Sequence, residues 1–154
     1  MVEFLRCCGS RAWASEMAAS RPFQGEKELL DVAEDVWLRL SPEDWKEAFS
    51  HHPRIGDRAK LREKFASTAQ WAEREQAGVK DASEETLQLL LEGNREYEER
   101  FGHIFIVCAT GKGADDMIAL LRQRLGNPPG VELEIAAAEQ QMITRLRLEK
   151  LLTG

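Results

Sequence analysis

Three short patterns in this 154-residue chain place chemically useful side chains where local structure would present them. The first is His51-His52-Pro53-Arg54-Ile55-Gly56-Asp57. Proline disfavours helix in the residue before it, so a helix must end at the histidines, and the proline and glycine force a turn after them. Imidazole titrates at about pH 6.5, so a histidine held there can give or take a proton at working pH. The plainer account is a histidine capping an exposed turn. Two adjacent histidines do not make a metal site, because ligands on a helix need i, i+3 or i, i+4 spacing to converge.

The second pattern is Trp71-Ala72-Glu73-Arg74-Glu75-Gln76-Ala77-Gly78. Glu75 and Gln76 fall in the last turn before a glycine, where a carboxylate meets the negative end of the helix dipole. A charge set against the dipole hints at a purpose, although a solvated surface glutamate is the plainer account. The third lies near the C-terminus, where Ile143, Arg147 and Leu151 form one i, i+4, i+8 row. That row puts a guanidinium in an apolar stripe, whereas Arg145 lies on the polar row Gln141, Arg145, Glu149. An inward arginine needs a carboxylate or an anionic ligand, unless its stem packs and its head reaches water.

Other patterns carry less. Gly111-Lys112-Gly113 precedes a helical segment and could cradle an anion, but it lacks phosphate-loop spacing and reads as a turn. Cys7, Cys8 and Cys108 lack metal-ligand spacing and read as packing residues. Trp13, Trp37, Trp45 and Trp71 are scattered as core anchors rather than gathered into a base-stacking surface.

These groups need a scaffold, and the composition bounds it. The length suits one domain over residues 1–154, with 43% hydrophobic and 31% charged residues marking a globular chain. A net charge of −6 with no long basic run argues against nucleic acid as a partner. No stretch approaches the roughly 20 apolar residues of a membrane span, and Met1 to Ser10 is too short and broken for a signal peptide. An odd count of 3 cysteines gives no disulfide framework and suits a reducing compartment. The chain closes Leu152-Thr153-Gly154 without a peroxisomal signal, so a cytoplasmic location is expected.

The scaffold reads as all-α, a bundle of seven to eight helices. From Glu26 to Leu40 the residues Leu29, Leu30, Ala33, Val36, Trp37 and Leu40 follow helical spacing. Ser41 is placed to cap the next helix, with Pro42 in its first position and Trp45, Ala48 and Phe49 inward. Further helices are expected over 59–76, from Ser83 to Phe101, over 114–125, and from about Val131 to Leu152. The run Ile104-Phe105-Ile106-Val107-Cys108-Ala109 has strand propensity, yet nothing else in the chain offers a strand to pair with it. A buried irregular segment is therefore expected there.

Taken in order, several motifs resemble the OHCU decarboxylase family of uric acid breakdown. They are Cys8-Gly9-Ser10 with Trp13, Arg21-Pro22-Phe23, His52-Pro53-Arg54-Ile55-Gly56 and Glu75-Gln76-Ala77-Gly78. Phe101-Gly102 leading into Phe105-Ile106-Val107-Cys108-Ala109, then Ile143 and Arg147-Leu148, complete the match from Phe4 to about Leu152. The resemblance implies an all-helical fold and a cofactor-free decarboxylation of 2-oxo-4-hydroxy-4-carboxy-5-ureidoimidazoline to (S)-allantoin. It implies that His52 and Glu75 are catalytic, that Pro53, Gln76 and the backbone of Phe105, Ile106, Val107, Cys108 and Ala109 line the substrate, and that Arg147 binds it, with Arg145 as the fallback. It also implies a homodimer, and neither metal nor cofactor. Two departures stand out: the family carries a helix before Cys-Gly-Ser where this chain has only a few residues, and Ala72 stands where the family has a substrate-contact serine. The competing classes are a helical interaction module whose motifs serve packing only, and a thiol redox protein, which would need a cysteine of lowered pKa.

Overall fold

Helix starts and stops in this chain are set by a few polar and glycine residues. The computed structural model describes residues 1–52 and 84–153, and every regular element among them is an α-helix. These are α1 (Val2–Cys7), α2 (Arg11–Ala19), α3 (Glu26–Leu38), α4 (Pro42–Ser50), α5 (Glu84–Phe101), α6 (Ala114–Leu125) and α7 (Pro129–Thr153). The fold is all-α, as expected, and residues 104–109 form the expected irregular segment, with Phe105, Ile106, Val107 and Cys108 buried. The helix expected over 59–76 lies outside the described residues.

The described residues belong to two packing units. One comprises residues 1–52, 106–108 and 133–153; the other comprises residues 84–105 and 109–132. In the first, Ser10 starts α2 by accepting the Trp13 N–H at 3.2 Å. The next cap is reciprocal: Ser41 Oγ accepts the Asp44 N–H at 3.3 Å, and Asp44 Oδ2 accepts the Ser41 N–H at 3.4 Å. Such a cap stabilises its helix by about 1 kcal/mol. The indoles then tie the helices together. Trp13 donates from Nε1 to the Ala33 carbonyl at 3.1 Å, and Trp37 to that of Ala137 at 2.9 Å. Trp45 donates to the Trp37 carbonyl at 2.9 Å. Each ring buries a large apolar surface while its one donor is satisfied. At the edge, Glu47 accepts from the Arg11 N–H and the Arg11 Nε, both at 2.8 Å, which fastens α2 to α4 and holds the Glu47 carboxyl below its ordinary pKa.

In the second unit α5 packs on α6, with Gly93 against the Leu121 side chain and the Arg124 guanidinium 5.8 Å from the Tyr97 ring centroid, while Leu87, Leu90 and Met117 are buried. Gly102 closes α5 at φ +78, a left-handed conformation that favours glycine, and its N–H reaches the Glu98 carbonyl at 2.8 Å. Below lies a buried ionic cluster. Glu132, fully buried, accepts from Tyr97 Oη, Arg124 Nε at 2.6 Å and Asn127 Nδ2 at 3.1 Å. The Arg124 guanidinium also lies 4.5 Å from the centroid of the Phe105 ring. Burying both charges is tolerable because each is paired and hydrogen-bonded. The Gly111-Lys112-Gly113 stretch is the turn expected of it, and the Gly113 N–H donates to the Asp116 carboxylate at 3.0 Å.

Candidate functional site

The two histidines of the first motif have different surroundings. His51 ends α4 and is exposed. Its ring lies over Gly9, where an added Cβ would come within 2.5 Å of the His51 Cγ. That close approach accounts for the glycine in Cys-Gly-Ser. His52 is half-buried, and its Nε2 lies 2.5 Å from the Gln140 Oε1 on α7. Pro53, Glu75 and Gln76, and with them Ala72, lie outside the described residues.

The Gln140 partner of His52 belongs to a row that hydrophobicity hides. The inward side of α7 is Glu132, Ala136, Gln140, Thr144 and Leu148, all buried, with Ala137 beside them. The row expected to face inward does not: Ile143 is half-buried, Arg147 is exposed, and Leu151 is 42% exposed. The helix turns a polar row inward because its polar members find partners there. Gln140 Nε2 donates to Thr144 Oγ1 at 3.1 Å, and Thr144 in turn hydrogen-bonds the Cys8 thiol. The only sequence signal for this row was the i, i+4 series itself, which carries Gln and Thr where a core row would carry aliphatics.

Arg147 is placed by a different contact from the one expected. Its Nη1 donates to the Cys7 carbonyl at 3.3 Å, on the flank of α7. Gln140 and Arg147 are seven residues apart, two turns or about 10 Å along the axis, and so lie on nearly the same side of α7. Arg145 pairs with Glu149 at 3.1 Å on the exposed surface. A third contact comes from Glu139, whose Oε1 accepts the Cys108 N–H at 3.3 Å. So residues of α7 contact His52, the Cys108 peptide and the Cys7 carbonyl. Phe105 and Ala109 belong to the other unit, where Phe105 is buried under Arg124 and Ala109 is half-buried.

The thiols lack what redox chemistry needs. Cys7 and Cys8 are buried, and burial raises both, the Cys8 thiol to about 11. A reactive cysteine requires the opposite shift. Among the described residues no three His, Cys, Asp or Glu side chains are grouped to hold a metal ion, and no helix is long and apolar enough to cross a membrane.

Comparison with known proteins adds four findings. The family model for OHCU decarboxylase matches residues 1–149. A uric acid degradation bifunctional protein of Arabidopsis thaliana is 40% identical over 152 residues, covering 97% of this chain and 46% of the relative. A 2-oxo-4-hydroxy-4-carboxy-5-ureidoimidazoline decarboxylase of Amia calva is 37% identical over 59 residues, 38% of this chain and 34% of the relative. The chain thus spans less than half the length of these curated relatives. A solved structure of OHCU decarboxylase in the presence of (S)-allantoin superposes with a TM-score of 0.83 at 39% identity, covering 100% of this chain and 99% of that one.

Proposed function

Since the chain belongs to the OHCU decarboxylase family, we propose that it decarboxylates 2-oxo-4-hydroxy-4-carboxy-5-ureidoimidazoline to (S)-allantoin, acting over residues 1–154 as one domain without a cofactor. The observation that carries this reading is the likeness along the whole chain, in sequence and in shape, to an OHCU decarboxylase solved with (S)-allantoin present. The placement of His52 on a buried partner supports it as well.

The chemistry needs little from the protein beyond position and one proton. Loss of carbon dioxide breaks the bond from the carboxylate to the ring carbon and leaves the electron pair on that carbon. The adjacent ring C=N accepts the pair, so the substrate is its own electron sink. Arg147 binds the anionic or carbonyl edge of the substrate through its guanidinium fork. Glu75 orients the substrate hydroxyl and His52, while Pro53, Gln76 and the backbone of residues 105–109 line the ring. The hydroxyl on the carbon that lost carbon dioxide then gives up its proton to become the carbonyl of the product, the ring nitrogen is protonated, and His52 delivers a proton to one face of the former C=N carbon, which sets the S configuration. The test is His52→Gln, which should lower kcat by at least about a hundredfold, the scale of a lost general acid. Turnover at the wild-type rate with unchanged stereochemistry would remove His52 from the mechanism.

The finer assignments follow from the same reading. The partner is a small molecule rather than nucleic acid or a membrane, and the location is cytoplasmic. The chain works as a homodimer, a reading supported by the exposed apolar side chains Met142, Leu146, Leu151 and Leu152 on α7.

A further inference from the structure

Gln140 and Thr144 form a hydrogen-bonded line whose direction bears on His52. At the inner end of the line, Thr144 lies against the Cys8 thiol. Gln140 Nε2, which can only donate, gives its hydrogen bond to Thr144 Oγ1 at 3.1 Å. That fixes which end of the Gln140 amide faces the histidine: Oε1, an acceptor with no proton to give. His52 Nε2 opposite must then carry the hydrogen. Cys8, Gln140 and Thr144 are at most 1% exposed, so bulk water does not compete for these bonds.

From this arrangement we infer that Gln140 and Thr144 are positioning residues that hold His52 as the Nε2–H tautomer and fix the plane of its ring. The reverse polarity would have the Gln140 amide donate to Nε2 and the line end on a Cys8 S–H, a weak donor. It would also fail on protonation, because an imidazolium donates from both nitrogens and would confront an N–H of Gln140. With Oε1 facing the ring, neutral and cationic His52 are both satisfied. The ring gains and loses its proton at Nδ1 while no other member of the line turns. A proton donor set in this way needs no reorganisation during the reaction. The catalytic consequence rests on the proposed role of His52; the tautomer does not.

Histidine-selective ¹⁵N NMR tests this above the pH at which the rings deprotonate, each ring being assigned by a His→Gln substitution. The expected wild-type spectrum has His52 protonated on Nε2 and bare on Nδ1. Gln140→Met and Thr144→Val should mix the tautomers and lower kcat about 10- to 100-fold, the scale of a misplaced catalytic group, with KM nearly unchanged. Thr144→Ser, which keeps the hydroxyl, should retain both the tautomer and most of kcat. A role in packing alone ranks the pair the other way, because valine matches threonine in volume and serine does not. A wild-type His52 protonated on Nδ1, or a Thr144→Val enzyme with the wild-type tautomer and kcat, overturns the inference. Activity retained in His52→Gln would instead defeat the proposed mechanism, leaving the NMR result to stand separately.

Discussion

Arg145 and Arg147 sit two residues apart on α7 and are held differently. The Arg145 guanidinium pairs with Glu149 one turn on, at the exposed surface. Pairs of that kind contribute about 0.3–0.5 kcal/mol. Arg147 reaches across sequence to the Cys7 carbonyl, beside the Cys-Gly-Ser motif. Arg145→Gln should therefore leave kcat/KM within about twofold of wild type, whereas Arg147→Gln should lower it about a hundredfold, as expected for loss of a bidentate clamp. Steady-state kinetics on the two variants decides it; equal losses would show that the assignment to Arg147 is wrong. The sequence pointed to Arg147 for a reason that failed. Its row was read as a buried apolar stripe, yet its head is placed by a carbonyl on the flank of the helix. No periodicity shows a contact between residues 140 positions apart.

At the scale of elements, α7 was legible in extent and misread in orientation. Periodicity finds the inward side of a helix by finding its aliphatics. The inward side of α7 carries Glu132 and Gln140, which meet Tyr97 and His52, and Thr144, which accepts from Gln140. The opposite holds for α3, where Leu29, Leu30, Ala33, Val36 and Trp37 are buried as their spacing indicates, while Leu40 lies past the helix end at Leu38 and is half-buried. Helices α1 and α2 were not delimited from sequence, although Ser10 three residues before Trp13 is the cap of α2. The same contrast governs stability. Arg124, side chain 5% exposed, answers Glu132, which is fully buried. Arg124→Met would leave that carboxylate without its cation and should cost about 3–5 kcal/mol in urea unfolding. A loss under about 1 kcal/mol would mean the cluster is not holding the second unit together. Seating Phe105 under Arg124 also makes the irregular segment intelligible: that ring is fixed by a buried cation rather than by strand pairing.

For the molecule as a whole, a net charge of −6 without a long basic run argues against nucleic acid as a partner, and no stretch of the sequence approaches roughly 20 apolar residues. The all-α class and the buried irregular run followed from helical spacing and from the lack of a second strand. The site was legible mainly through the order of its motifs, because no single one of them outweighs an ordinary structural explanation. A substrate that carries its own electron sink asks the protein for an oriented ring, an anion clamp and a proton. The most direct measurement starts from substrate generated fresh from urate by the two upstream enzymes and follows product by circular dichroism. The account predicts that the wild-type chain makes the dichroism of (S)-allantoin appear faster than spontaneous decay produces allantoin. Decay at the spontaneous rate with racemic product, in the presence of folded protein, would contradict it.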